Sequence, residues 1–433
     1  MAQENIEVTR LGNGVRVVSE TVSHVQSISL GLWVGAGSRD ERPGERGITH
    51  FIEHMLFKGT SRRTAREIAD EIESRGGSLN AFTDKEYTCY YARALAEHLE
   101  IVMDVLCDML RGSLLDPAEI GRERNVVLEE IKRHKDDPEE SIHDTFAETL
   151  WGSHPLGRPV IGTSRSVGAL DREDVLRYIE RHYTPDRIVV SVAGNVRHAD
   201  AIALAERFLG DMSGSGSARR PHVPQPSGRT RIIRRRTEQA HFCLGATGCS
   251  QTSDDRYALM TLDTVLGGNM SSRLFQEIRE KRGLAYAIGS YSVGYTESGM
   301  FVVHGGTSPA TFDQVIDLTN QEMDKVRRDG LTEEEIAKSR TQLRGNLMLG
   351  LESMSSRMMR MGKSMLYHGR VPAVDEVLAK IAAVDAAAIG RVAASALDEA
   401  SLTLAAIGPL GAWRTGEDTA VRSEDAEGTV AGG

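Results

Sequence analysis

In Ser27 to Val34 every second residue (Ile28, Leu30, Leu32, Val34) is aliphatic. This period of two predicts a strand with one buried face. Just before it, VTRLGNGVRVVSE predicts a hairpin turning at Gly12-Asn13-Gly14. Periods near 3.6 then predict helices over 47–58, 64–75, 95–111, 117–135 and 138–150. A strand pair in LNAFTDKEYTCYYARAL interrupts them, and DRIVVSVAGNV returns to strand at 186–196.

Between Asp211 and Arg231 the chain reads DMSGSGSARRPHVPQPSGRTR, nearly free of large apolar residues and mixing Gly and Ser with stiffer Pro. Such a composition predicts a flexible linker. The second half repeats the order of the first: a strand in QAHFCLGATG, helices in DRYALMTLDTVLGG and SSRLFQEIREKRG, strands in LAYAIGSYSVG and GMFVVHGGT, later helices, and a closing strand SLTLAAIG that parallels IVVSVAG. The repetition points to a duplication. The expected division is a domain at 1–210, a linker at 211–231 and a homologous domain at 232–413, with 414–433, acidic and aperiodic, as a disordered tail.

Composition mainly excludes. With 433 residues, 40% hydrophobic and 26% charged, the chain has the make-up of a soluble globular protein, and its net charge of -10 argues against a nucleic-acid surface. No run approaches the roughly 18 apolar residues of a membrane span. The start MAQENIEVTR lacks the basic-then-apolar build of a signal peptide, so a cytoplasmic location is expected. Cys89, Cys107, Cys243 and Cys249 form no CxxC pair and are expected to be small core residues.

Candidate chemistry concentrates in GITHFIEHMLFKG, residues 47–59. On a helix, Ile48, Phe51, Ile52, Met55 and Leu56 fall on one side, and His50, Glu53 and His54 on the other. Imidazoles at i and i+4 can share one ion, and a carboxylate beside them can take a proton from a water that attacks a carbonyl. Helical phase alone equally allows a solvated polar face. A zinc site of this kind needs a third protein ligand. In ERNVVLEEIKRH, Glu123, Val126, Val127 and Glu130 share a face with Ile131, whereas Glu129 points roughly 100° away. An acid on an apolar face is costly without a cation, the alternative being a snorkelling surface acid. The positional counterpart of the histidine helix in the second half, LMTLDTVLGG, holds no histidine.

His-x-x-Glu-His is the inverted motif of the inverzincins. The chain resembles the pitrilysin-like zinc metallopeptidases, in particular the short two-domain branch that includes the beta subunit of mitochondrial processing peptidase and its bacterial relatives. GITHFIEHMLFKGT, GGSLNAFTDKEYTCYYA, ERNVVLEEI, HPLGRPVIGT, HYTPDRIVVSVAGN and SSRLFQEIREKRGLAY stand in family order. The resemblance implies an α+β fold: two homologous α/β domains of LuxS and processing-peptidase type, each a largely antiparallel sheet packed with helices, joined into a clam-shell. It also implies one zinc ion per chain on His50, His54 and Glu130, the last at the family's spacing of some 76 positions after the second histidine. Glu123 would support the site from outside the ligand set, and Glu53 would serve as general base and acid.

In such a family Asn80, Ala81 and Phe82 would hold substrate as an added strand. Arg279 and Tyr286 would grip its carbonyl. Glu140 and Asp144, i and i+4 on a helix, would receive an arginine near the cut, although acids also suit a helix start by themselves. His134, His143, His154 and His182 lack a paired spacing and are expected to be structural. The implied activity is zinc-dependent endopeptidase cleavage of unfolded, extended or basic peptides, by a homodimer or a heterodimer with a homologous subunit. A non-catalytic or partner-dependent scaffold subunit of the same fold is the alternative. The intact motif and the short VLGGNMSSRLF favour the catalytic type over the alpha-type subunit.

Overall fold

The computed structural model describes residues 4–216, 219, 222–225, 229–411 and 420–423. Besides short 3-10 turns, the first half runs β1 (Ile6–Arg10), β2 (Arg16–Thr21), β3 (Ser27–Val34), α1 (Ile48–Met55), α2 (Ala65–Glu73), β4 (Ser78–Thr83), β5 (Thr88–Leu95), α3 (Leu99–Gly112), α4 (Pro117–Asp136), α5 (Pro138–Trp151), α6 (Ser164–Ala169), α7 (Arg172–His182), β6 (Ile188–Gly194) and α8 (His198–Leu209). The second runs β7 (Thr230–Arg234), β8 (Ala240–Gly248), α9 (Arg256–Leu266), a π-helical turn at Phe275–Glu280, β9 (Ala285–Gly294), β10 (Gly299–Thr307), α10 (Phe312–Asp329), α11 (Glu333–Gly350), α12 (Met354–His368), α13 (Val374–Ala382), α14 (Ala386–Ala396), β11 (Thr403–Gly408) and β12 (Ala420–Ser423).

These strands build two six-stranded mixed sheets, ordered β1-β2-β6-β3-β5-β4 and β12-β7-β11-β8-β10-β9. From the second strand onward the two orders correspond. The pair β2/β6 is parallel as β7/β11 is, and every later pair is antiparallel in both sheets. The duplication expected from sequence is therefore written in the backbone pairing. The first strand breaks the correspondence, because β1 lies antiparallel to β2 whereas β12 lies parallel to β7. That strand comes from 414–433, where no structure is predicted; 420–423 pairs with the edge of β7, and the rest of the segment lies outside the described residues.

The chain divides into two compact units, the first Met1–Lys132, Arg158–Arg220 and Asn346–Glu376, the second Arg133–Gly157, Pro221–Gly345 and Val377–Gly433. They differ from a linear cut at 211–231 by an exchange: α12 belongs to the first unit and α5 to the second. Strand burial gives the reason. The alternation in β3 predicts one buried face, yet seven of its eight residues are buried. Ile28, Leu30 and Leu32 join a core with Phe51, Ile52, Ile68 and Val102 from the helices of their own half. The opposite face, with Trp33, is covered by Met358, Met361 and Met365 of α12. In the second unit Ile142, Phe146, Leu150 and Trp151 of α5 cover Cys243, Val302, Ala405 and Ile407 in the same way.

Glycine permits the close approach of α12. A Cβ on Gly31 would meet Met358 Sδ at 2.5 Å, and one on Gly362 would overlap the Trp33 indole. The indole cannot turn aside freely, since Nε1 donates to Ser191 Oγ at 2.9 Å and Ser191 Oγ donates to the Met358 carbonyl at 3.2 Å.

The described part of the expected flexible linker is anchored. Arg219 donates to Asp40 Oδ2 at 2.6 Å and to Glu86 Oε1 at 3.1 Å, and the Gly216 amide donates to Asp186 at 2.9 Å. Charge pairing at these points overrides what the Gly and Ser content predicts. Cys89, Cys107 and Cys243 are buried and Cys249 partly so, all as free thiols. Among the described residues no helix is long and apolar enough to cross a membrane.

Gly362→Ala is expected to destabilise the protein by about 1–3 kcal/mol through overpacking against Trp33. Urea unfolding should show a lower midpoint at unchanged slope; an unaltered midpoint would contradict the packing of α12 on β3.

Candidate metal centre

Helix α1 starts at Gly47, whose φ of 87° is left-handed. A Cβ there would also meet the Ile161 carbonyl oxygen at 2.7 Å, so glycine is required twice over. Glycine offers no capping side chain. Glu41 caps instead, its Oε2 accepting the Gly47 amide at 2.9 Å and its Oε1 the Thr49 amide at 3.0 Å. Burial pushes the Glu41 carboxyl up to about 8 against the pull of these amides. Thr49 Oγ1 donates to the Tyr178 hydroxyl at 2.9 Å. Ile48, Phe51, Ile52 and Met55 are fully buried, which fixes the roll of α1 and leaves His50, Glu53 and His54 on the other side.

Helix α4 supplies the third donor. Glu130 Oε2 lies 3.9 Å from His50 Nε2 and 3.7 Å from His54 Nε2. One donor atom from each residue lies within 4.8 Å of the others, the sole such trio of His, Cys, Asp or Glu among the described residues. The apolar face of α4 is narrower than its sequence predicts. Glu123, Val127 and Ile131 are buried, Glu130 stands at the rim, and Val126 is 50% exposed.

The protonation state of His50 suits a metal ligand. Burial, then the neighbouring His54, lowers the His50 pKa to about 4, and its Nδ1 is buried with no hydrogen-bond partner, so the ring is neutral near pH 7. For His54 burial also works against charge, but the hydrogen bond and charge of Glu123 outweigh it and raise the pKa. His54 Nδ1–H donates to Glu123 Oε1 at 2.7 Å, which turns Nε2 toward Glu130. Lys58 Nζ meets Glu123 Oε2 at 2.6 Å. Burial would raise the Glu123 pKa, yet His54 and Lys58 hold it below the usual carboxylate range. Two imidazoles and a carboxylate, one ring oriented by a second carboxylate, form a donor set that fits zinc.

Glu53 has its own partner. Thr83 Oγ1 donates to Glu53 Oε2 at 2.5 Å. Burial raises the Glu53 pKa, with the Thr83 hydrogen bond and His54 opposing. Thr83 ends β4, one of the two edge strands of the first sheet. Leu79 and Ala81 face the core on the same side as Thr83, while Asn80 and Phe82 face the other way. The Phe82 ring lies 5.8 Å from Trp33, 6.2 Å from Tyr87 and 6.1 Å from Tyr91. Asn80 Oδ1 accepts the Ala81 amide at 2.8 Å. Of these three expected substrate contacts the structure thus presents a backbone edge, with the Phe82 side chain engaged in an aromatic cluster.

In the second unit the Arg279 guanidinium lies over two rings, 4.7 Å from the centroid of Phe275 and 5.0 Å from that of Tyr286, whose side chain is exposed. The expected pair is brought together by stacking. Glu140 and Asp144 also converge, but on His134 rather than on open space, with Glu140 Oε2 3.4 Å from Nδ1 and Asp144 Oδ2 3.0 Å from Nε2. The hydrogen bond with Asp144 is the main cause of a raised His134 pKa. His143, His154 and His182 make internal hydrogen bonds, in line with a structural role.

Residues 16–164 match the family described as Insulinase (Peptidase family M16), and residues 169–343 match the Peptidase M16 inactive domain. The chain is 44% identical over 411 residues to a protein of Streptomyces coelicolor described as an uncharacterized zinc protease, covering 93% of this chain and 89% of that one. It is 42% identical over 399 residues to one of Bacillus subtilis described in the same words, covering 92% and 97%. Two solved structures share the fold. A peptidase M16 inactive domain from Pseudomonas fluorescens has a TM-score of 0.88 at 18% identity, covering 95% of this chain and 99% of that one. A protease from Helicobacter pylori has a TM-score of 0.87 at 21% identity, covering 94% and 100%.

Glu123→Gln keeps the shape beside His54 but removes the charge that orients it. Zinc affinity, measured by chelator competition, is expected to fall about 10- to 100-fold. Equal affinity would mean that Glu123 does not support the ligand.

Proposed function

We propose, for a chain that belongs to peptidase family M16, that His50, His54 and Glu130 hold a catalytic zinc ion and that the protein is an endopeptidase acting on extended peptides. The convergence of these three side chains, with Glu53 beside them and not among them, carries the reading. The ion would supply Lewis acidity, polarising the scissile carbonyl and making the attacking water more acidic. This chain's own groups do the rest. Glu53 takes the water's proton on its carboxylate and returns it to the leaving amine. A carboxyl whose pKa is raised by burial suits a group that must both accept and give up a proton.

The outer position of β4 beside α1 supports substrate binding as an added strand along Asn80, Ala81 and Phe82. Recognition there would run through main-chain hydrogen bonds and so select extended conformation over sequence. Arg279 and Tyr286 enter the reading as hydrogen-bond donors to substrate, on the strength of their stacked pairing and their sequence block. A preference for arginine at Glu140 and Asp144 would require the substrate guanidinium to replace His134 between them.

Glu53→Gln is expected to retain one zinc per chain and to lose cleavage of a quenched extended peptide by about 100-fold or more. Unimpaired cleavage would remove Glu53 from the chemistry. Zinc-loaded wild-type chain that stays inert would favour the scaffold reading.

A further inference from the structure

Thr83 occupies a strand position that its surroundings do not explain. It is half-buried and faces α1 in line with Leu79 and Ala81. Valine has nearly the same shape and suits such a site at least as well. What threonine adds is a hydroxyl, and that hydroxyl makes one contact of note, the 2.5 Å hydrogen bond to Glu53 Oε2.

We infer that Thr83 is a positioning residue for Glu53, holding Oε2 so that Oε1 is the oxygen that receives the proton, and tying it to the strand that receives the peptide. The inference rests on the reading of Glu53 as the proton carrier. A glutamate's terminal torsion is broad and roughly two-fold, so an untethered carboxylate exchanges its oxygens and wanders. Helix α1 is locked by its buried face and fixes the glutamate at Cα but not at its tip. A charge-assisted bond of this length fixes the tip. Among the described residues Oε1 makes no hydrogen bond, so the two oxygens are chemically distinct.

The hydroxyl is itself held by the sheet. Thr83 pairs with Thr88 on the last rung of the β4/β5 hairpin, and the turn is closed by the Asp84 amide donating to the Tyr87 carbonyl at 2.8 Å. Thr88 Oγ1 donates to the Ala36 carbonyl at 3.0 Å. The carboxylate of the base and the peptide edge are therefore tied to one hairpin, and a strand added to β4 is registered against Oε1 through the backbone of β4 and the Thr83 hydroxyl.

Thr83→Val and Thr83→Ser test this. Valine keeps the shape and loses the hydroxyl, serine keeps the hydroxyl and loses the methyl, and both variants should bind zinc as wild type does, since Glu53 is not a ligand. In Thr83→Val kcat is expected to fall roughly 10- to 100-fold with KM within about twofold, as for a small misplacement of a reacting group. Thr83→Ser should stay within about threefold of wild type. Crystal structures should show the Glu53 carboxylate displaced in the valine variant and held in the serine variant. Equal kcat in Thr83→Val and wild type, or Glu53 unmoved in both structures, overturns the inference. Wild-type enzyme inert toward every peptide would overturn the peptidase reading instead, and the two crystal structures would then decide by themselves whether Thr83 holds Glu53.

Discussion

A sheet whose strands carry apolar side chains on both faces must be covered twice, and neither half of this chain covers its own sheet twice. The first half lays α1, α2 and α3 against one face of β3 and leaves Trp33 on the other. The second half does the same with β8 and leaves Cys243. Each deficit is made good by one helix from the opposite half. Close contact requires small residues at the crossing, which Gly31 and Gly362 provide. A sheet packed on both faces is stiff, and that stiffness reaches the candidate site through α1, rolled into place by Phe51 and Ile52, and through β4, which carries Thr83.

Around this frame four acids do separate tasks, and each task follows from what surrounds the carboxylate. Glu41 is sealed off with two backbone amides and caps a helix. Glu123 is equally buried but faces Lys58 and His54, so it stays charged and orients a ring. Glu130 keeps part of its surface open and points at two imidazole nitrogens. Glu53 has one oxygen tied and the other untied. Burial without a partner would neutralise such groups.

The sequence made local chemistry legible and long-range pairing much less so. His50, Glu53 and His54 sit on one helix, so helical phase alone grouped them, and the apolar side of α1 came out as expected. Glu130 needed the family spacing, because the face of α4 is narrower than its pattern suggests and Val126 lies outside it. Lys58 follows His54 by one turn and could have been found from spacing. Glu41 and Thr83 could not, since their partners are set by how the chain returns on itself. The same limit hid the exchange of α5 and α12: an amphipathic period shows which side of a helix is apolar, not which sheet will take it. His134 lacks a paired spacing in the sequence, and its partners are the acids four residues apart on the next helix.

The exchange also orders events during synthesis. The first sheet, complete in its strands once β6 has emerged, waits for Met358, Met361 and Met365 before its second face is covered. These residues lie more than three hundred positions beyond β3. Contacts of such sequence separation form late, and a nascent chain presents its amino-terminal portion first. The half that carries His50 and His54 therefore emerges from the ribosome with an open apolar face around Trp33, and that face is covered only when most of the second half has been made. Translation thus keeps the first unit unfinished until nearly the whole chain exists.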